Sequence, residues 1–374
     1  MIYIHIPFCK QKCSYCNFHF STSLQFKDEM LGAIKKEISL RKNELQNKTL
    51  QSLYFGGGTP SILSGDEINA LIDEVLKHFS FAKDIEITLE ANPDDLNNSF
   101  LKALSNSPVN RLSIGTQSFF DEDLKLMNRA HNASEAEGSI KRAQDFGFEN
   151  LSIDLIYGSP TSDFEIWKEN LNKTIALQVP HVSSYALTVE PKTALNDWIL
   201  KGKVSNPREE EQNKEFYYLS DFLKDNGFEH YEISNFAKPD FYSKHNSAYW
   251  KYKEYLGIGP SAHSYNGHEA RSWNMANNQQ YIKKLNSNLL AKETEILSEE
   301  DQFNEMMMIG LRTICGVDLN NLKNKFSDKI LEHFQKETQS KINEGILIVD
   351  SNHLKIPEKH WFMADGIASD LFIV

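Results

Sequence analysis

Short runs of β-branched and other apolar residues recur through the first half of the chain. They fall at Ile2–Ile6, Leu50–Phe55, Ile85–Glu90, Arg111–Thr116, Asn150–Leu155 and His181–Ala186. Runs of this length and composition read as strands buried on both faces. Between them lie stretches with the helical period, at Phe26–Leu45, Gly65–Phe79, Ser134–Phe146 and Phe164–Leu177. Strand and helix in alternation predict an α/β fold, a parallel sheet with helices outside it, curled into a full or partial barrel. In such barrels the chemistry sits at the C-terminal ends of the strands. From about Tyr231 the alternation fades into a segment rich in aromatics and glycine. Beyond Ser298 a new pattern begins, with helices at Glu299–Ile314, Leu319–Lys325 and Lys329–Glu344, the last stopped by Gly345. Two short strands, Ile346–Val349 and His353–Ile356, follow around the turn Asp350-Ser351-Asn352. Three helices and a hairpin predict a small winged-helix-like α+β domain. The chain thus divides into residues 1–235, a connecting segment 236–297 and a C-terminal domain 298–374.

Composition narrows the function. At 374 residues, with 40% apolar and 25% charged positions, the chain is a folded globular protein. Its net charge of −12 offers no general surface for a polyanion, which argues against nucleic acid as substrate. In so acidic a chain the C-terminal domain reads as a packing or partner module, not a DNA reader. No run of apolar residues is long enough to span a bilayer. The start, Met1-Ile2-Tyr3-Ile4-His5-Ile6-Pro7, lacks a basic leader and a long apolar core, so the expected location is the cytoplasm. Of four cysteines, three crowd into eight residues and only Cys315 lies elsewhere, which is no disulfide framework. Cys315 follows the apolar stretch Met306–Ile314 and is expected to be a small buried core residue.

The crowded cysteines, Cys9, Cys13 and Cys16, directly follow the first strand with the spacing C-x3-C-x2-C. Three thiolates can ligate three irons of a 4Fe–4S cubane and leave the fourth iron for an outside ligand. The amino and carboxylate end of S-adenosylmethionine is such a ligand, with Tyr15 placed to pack on its adenine. A structural zinc site is the rival reading, because His19 would complete a Cys3His set. Other motifs then gather at the same mouth. Gly56-Gly57-Gly58-Thr59-Pro60 closes the second strand, and consecutive glycines let backbone approach a ligand. Glu90 ends the third strand, where a carboxylate can meet an ammonium or ribose hydroxyls or simply face solvent. Gln117 follows the fourth strand, Arg129 comes soon after, and Asp154 lies in the fifth, where an unpaired carboxylate would be costly to bury.

Taken together, these motifs resemble the radical S-adenosylmethionine family of oxygen-independent coproporphyrinogen III oxidases and their relatives, the HemW-type heme chaperones. The resemblance runs from Tyr3 into the C-terminal domain: Y-x-H-I-P-F-C, the cysteine triplet, GGGTP, T-Q-S-F and D-L-I-Y-G occur in family order. It implies an open six-stranded β/α barrel with an extra C-terminal domain. It further implies that Cys9, Cys13 and Cys16 hold the cluster, and that Tyr3, Gly57, Gly58, Thr59, Glu90, Gln117, Arg129 and Asp154 line the S-adenosylmethionine site. An electron donor for the cluster is implied as well.

Departures separate the two branches. The oxidases carry a further cysteine two residues after the third ligand, where this chain has Phe18. They also carry a long N-terminal arm, for which the eight residues before Cys9 leave no room. In addition, His245-Asn246-Ser247-Ala248-Tyr249-Trp250 is similar to the H-N-x-x-Y-W motif of the chaperone branch, which is implicated in heme binding. If helical, the segment puts His245 and Tyr249 on one face and Asn246 and Trp250 on another. A histidine can ligate heme iron, and Tyr and Trp offer flat apolar surface to a porphyrin. The bland alternative is a satisfied histidine beside core aromatics. His263, in Gly257-Ile258-Gly259-Pro260-Ser261-Ala262-His263-Ser264, ranks second as a ligand, and the other histidines, His5 included, read as structural. The resemblance therefore implies a chaperone that binds heme and delivers it to an acceptor protein, including by transient contact with one in a membrane. The alternative is a radical decarboxylase acting on coproporphyrinogen III.

Overall fold

A computed structural model describes residues 1–374. Six strands, β1 (Ile2–Ile6), β2 (Thr49–Gly57), β3 (Ser80–Ala91), β4 (Arg111–Gln117), β5 (Leu151–Tyr157) and β6 (His181–Ala186), lie side by side in chain order, all parallel. Helices on the outside make most of the returns. Residues such as Ile4, Leu53, Leu89, Ile114 and Ile153 are sealed from solvent, as strands buried on both faces require. The returning helices start where capping chemistry permits. Ser64 and Glu67 form a capping box before Gly65–Leu76, Asn132 and Glu135 form another before Ala133–Asp145, and Asp163 caps Phe164–Ala176.

The sheet is wider than six strands. β7 (Glu229–Glu232) and β8 (Asn235–Ala237) add antiparallel pairings beyond β6, and β9 (Leu256–Ile258) pairs parallel to β1 at the opposite edge. The two edges, β7 and β9, do not meet, so the barrel is open. These additions come from the stretch where the hydrophobic pattern fades, because strands of three or four residues are too short to display a period.

A buried ion pair secures β9. Arg41, just past the helix Lys27–Leu40, donates to Glu37 Oε1 at 2.9 Å and to the Gly257 carbonyl at 2.8 Å, and both side chains are 1% exposed. Glu37 in turn accepts from the Gly259 N–H, Asn274 Nδ2 and Tyr281 Oη. Every lone pair of the carboxylate is thus used, which is what makes a buried charge tolerable. A second sheet, His263–Tyr265, Ala270–Asn274 and Lys292–Ile296, lies against this edge. Gly257 allows the approach, since a Cβ there would fall 1.9 Å from the His263 carbonyl oxygen.

The C-terminal region contains the helices Glu299–Leu311, Leu319–Lys325 and Asp328–Asn343 and a three-stranded sheet. The expected hairpin (Ile348–Asp350 and His353–Lys355) is joined by a two-residue strand, Val317–Asp318. The expectation for Cys315 fails. Its thiol is exposed, because the apolar helix ends at Leu311 and the turn through Gly316, at φ +74°, carries Ile314 and Cys315 outward. No helix is long and apolar enough to cross a membrane.

Candidate functional site

The cysteine loop leaves β1 and is pinned from several sides. The Cys9 N–H donates to the Ser21 carbonyl, the Ser14 N–H and hydroxyl donate to the carbonyls of Met127 and Leu126, and Gln11 donates to the Asn128 carbonyl. Lys10 pairs with Asp94 and Asp95 beyond β3. All three thiols are half-buried and line one cavity of about 580 Å³. Burial pushes the Cys9 thiol up to about 11 against an opposing hydrogen bond to Thr59, and burial raises Cys16 as well.

Seven of the eight residues expected around S-adenosylmethionine line that cavity: Gly57, Gly58, Thr59, Glu90, Gln117, Arg129 and Asp154. Strand ends bring them together. The glycines close β2, Glu90 is next to last in β3, Gln117 is last in β4, and Asp154 is in β5. The glycines do more than admit a ligand. A Cβ on Gly57, at φ +106°, would sit 2.5 Å from the His5 ring, and one on Gly58 would sit 2.5 Å from the Phe8 carbonyl oxygen. They let the cysteine loop lie directly on the end of β2, where the Gly58 and Thr59 N–H groups donate to the carbonyls of Ile6 and Phe8. Gln117 holds a left-handed φ of +66°, a conformation disfavoured for a side chain of its size, beside a register shift in β4.

Arg129 occupies the centre. Its Nη2 donates to Asn92 Oδ1 at 2.7 Å and to the Gly115 carbonyl at 2.8 Å, and its Nη1 approaches Cys13 Sγ at 3.3 Å. Its Nε is buried without a partner. A guanidinium that lines the cavity beside the thiols and has no carboxylate partner fits a cluster-bound carboxylate, since buried charges need hydrogen-bonded counterparts. Glu90 accepts from Tyr54 Oη at 2.8 Å and from the Gly57 N–H at 3.2 Å. Desolvation nonetheless pushes its pKa up to about 7, and desolvation raises Asp154 to about 6.

The thiols suit a cubane better than a single ion. No group of three or more His, Cys, Asp or Glu side chains closes into a cage for one metal ion. His19, the fourth ligand that zinc would need, holds Asn278 Oδ1 at 2.7 Å with its Nε2. Each thiolate of a cubane takes a different iron, so convergence on one point is not required.

Tyr3 faces elsewhere. It lines a second, larger cavity of about 770 Å³, which shares Phe18, Gly57 and Glu90 with the first as a common wall. Tyr3 lies deeper along β1 than the mouth and stacks on Tyr54 instead, with ring centroids 5.9 Å apart. The second cavity is also lined by Tyr249, Trp250, Tyr252, Tyr255, His263 and Tyr265. The H-N-x-x-Y-W segment is helical, Lys244–Trp250, with Ser243 as its cap. It delivers Tyr249 and Trp250 to the cavity but not Asn246 or His245. His245 is 1% exposed, with Nδ1 at 2.9 Å from Ser52 Oγ and Nε2 at 2.9 Å from Tyr249 Oη.

Sequence reasoning missed Asn92, which joins Arg129 to Thr59, and Tyr185, which closes the first cavity from β6. Asn92 directly follows the end of β3, and Tyr185 is next to last in β6. Asking which polar or aromatic residues end each strand would have found both.

Comparison with known proteins gives the family and the fold. Residues 3–173 match the model of the radical SAM superfamily, and residues 297–363 match the HemN C-terminal domain. The heme chaperone HemW of Lactococcus lactis is 33% identical, over 98% of this chain and 95% of that protein. The heme chaperone HemW of Bacillus subtilis is 34% identical, over 92% of both chains. The solved coproporphyrinogen III oxidase HemN from Escherichia coli superimposes with a TM-score of 0.85 over 99% of this chain and 89% of its own, at 24% identity, a likeness of fold.

Proposed function

The chain belongs to the HemW family, built on a radical S-adenosylmethionine domain, and from that premise we propose that it binds heme and hands it to an acceptor protein. The observation that carries this reading is the larger cavity. It is walled by aromatic side chains, contains histidine, and abuts the cofactor cavity through Phe18, Gly57 and Glu90. Its volume of about 770 Å³ lies within the range of pockets that enclose a sizeable flat ligand.

In this reading the smaller cavity holds the cofactor that the family implies. Cys9, Cys13 and Cys16 would carry a 4Fe–4S cluster and leave one iron for S-adenosylmethionine. Arg129 would hold the cofactor's carboxylate and Glu90 its ammonium or ribose. Gly57, Gly58, Thr59, Gln117 and Asp154 would shape the remaining wall, with Tyr3 behind it. When bound, the pair supplies one-electron chemistry. An electron donor would feed it, and the heme acceptor would dock transiently, at a membrane where the acceptor resides in one. His245 would serve the heme site by holding Tyr249 through its hydrogen bond, and Asn246 would serve it as part of the helix Lys244–Trp250 that carries Trp250.

The coproporphyrinogen oxidase reading has support from the fold alone, because the likeness to the solved oxidase is at 24% identity. Phe18, where the oxidases carry a further cysteine, favours the chaperone and places an exposed apolar ring between the cavities. Two assays on the cluster-loaded protein separate the readings. Titration with heme should give one saturable absorption band, and anaerobic incubation with reductant, S-adenosylmethionine and coproporphyrinogen III should release no protoporphyrinogen. Decarboxylation without heme binding would reverse the assignment.

A further inference from the structure

We propose that His263, not His245, is the residue that ligates heme iron, within the larger cavity. The inference rests on the heme-binding function proposed above and locates it at one atom.

His245 is already committed. Both ring nitrogens are hydrogen-bonded, to Ser52 and Tyr249, and its backbone N–H donates to Glu86 Oε1 at 3.0 Å. To reach an iron it would have to give up at least one of these buried hydrogen bonds and leave that partner unpaired, and its ring, 1% exposed, does not line the cavity. The bond to Tyr249 gives it a positioning role instead, fixing a phenol ring in the cavity wall. His5 and His19 also line the cavity, and they too are engaged. His5 reaches the His19 carbonyl at 3.0 Å and Tyr3 Oη at 3.4 Å, and His19 reaches Asn278.

His263 is free. Its ring lines the cavity, is exposed, and has no hydrogen-bond partner on either nitrogen. Its backbone is rigid, because it opens a strand laid against Gly257 and paired with Trp273. Partial burial and the nearby Arg271 lower its pKa, which keeps the imidazole neutral, the form that donates a lone pair to a metal. The surroundings suit a porphyrin. Tyr249, Trp250 and Tyr265 give flat apolar surface, while Lys253, which forms no ion pair, and Arg271 supply cations for propionates. Arg271 is shared with Glu295 and Glu305, so Lys253 is the freer of the two.

The test is a heme titration of the full chain with its cluster reconstituted, read by absorption and by electron paramagnetic resonance of the ferric heme. Wild type, His263→Ala, His245→Ala and His263→Cys are compared, with cluster absorbance and S-adenosylmethionine binding as controls for folding. His263→Ala should lose the histidine-ligated spectrum and weaken binding by on the order of tenfold or more, the scale on which changes at metal sites act. Added imidazole should restore its spectrum, and His263→Cys should give a thiolate-ligated one. His245→Ala should keep the histidine-ligated spectrum, or lose it in a way imidazole does not repair. Retention of histidine ligation in His263→Ala, or imidazole rescue confined to His245→Ala, overturns the assignment. A wild type that binds no heme removes the functional reading and this proposal with it, an outcome distinct from either.

Discussion

Replacing Arg129 by Met keeps the volume of the side chain and removes its charge. In the folded protein the guanidinium donates to Asn92 and the Gly115 carbonyl, lies 3.3 Å from Cys13 Sγ, and has an Nε with no partner. If the guanidinium pairs with the carboxylate of S-adenosylmethionine, the substitution removes a charge-assisted hydrogen bond worth roughly 1.5–3 kcal/mol. Truncating one member of a buried charge pair costs about 2–5 kcal/mol in all, so a loss near 3 kcal/mol is expected. At 1.4 kcal/mol per decade, that is on the order of a hundredfold in affinity. The abandoned acceptors, Asn92 Oδ1 and the Gly115 carbonyl, border an open cavity where water can reach them, so the fold should survive. Binding is measured by titrating S-adenosylmethionine into the reduced, reconstituted protein while following the resonance of the cluster. Arg129→Lys should fall between, since an ammonium keeps the charge but loses the planar fork. Unchanged affinity in Arg129→Met with the cluster fully loaded would refute the placement of the carboxylate.

Glu90 predicts a pH dependence. With its pKa raised from 4.5 to about 7, the folded protein holds a proton that the unfolded chain has already released within that window. Its contribution to the stability of the cofactor-free protein therefore falls as pH rises through the window. Binding of a cofactor ammonium, which needs the ionised form, should instead strengthen as pH rises through about 7, and Glu90→Gln should flatten the step; Asp154, at about 6, adds a weaker step below it. A pH-independent affinity in wild type would remove Glu90 from that role. Glu37→Ala removes one of the two carboxylates that hold Arg41, leaving Glu44, and strips the buried acceptor from the Gly259 N–H, Asn274 and Tyr281, so it should destabilise the protein by about 3 kcal/mol, and thermal melting should register a clear fall in Tm. Gly57→Ala forces a Cβ into the His5 ring at a positive φ, and the cluster loading measured by iron content should drop.

The parallel barrel was legible because a strand buried on both faces writes itself as a continuous apolar run. β1 and β6 have the boundaries their sequences suggest, and the others differ by a few residues at the ends. The edges were not legible. β7, β8 and β9 are too short to carry a period, and β9 depends on Arg41, whose partner at Gly257 is more than two hundred residues away. Residues that line the cavity beside the cysteines were readable wherever a polar group interrupts the end of an apolar strand, as at Glu90, Gln117 and Asp154. Tyr3 and His245 mark the limit of that reading. Tyr3 sits on the right strand, but its depth along β1 directs it to the second cavity. His245 has the right spacing to Tyr249, and the same spacing is what lets the two side chains hydrogen-bond each other. Spacing places residues on a face, and only packing decides whether that face meets a cavity.

A heme carrier passes its cargo to the acceptor by direct contact. The most direct test loads the cluster-containing protein with one equivalent of heme and mixes it with an apo-acceptor whose holo form has a distinct spectrum. Transfer should depend on acceptor concentration and outpace loss of heme to an inert scavenger. Transfer no faster than release to the scavenger would contradict delivery by contact.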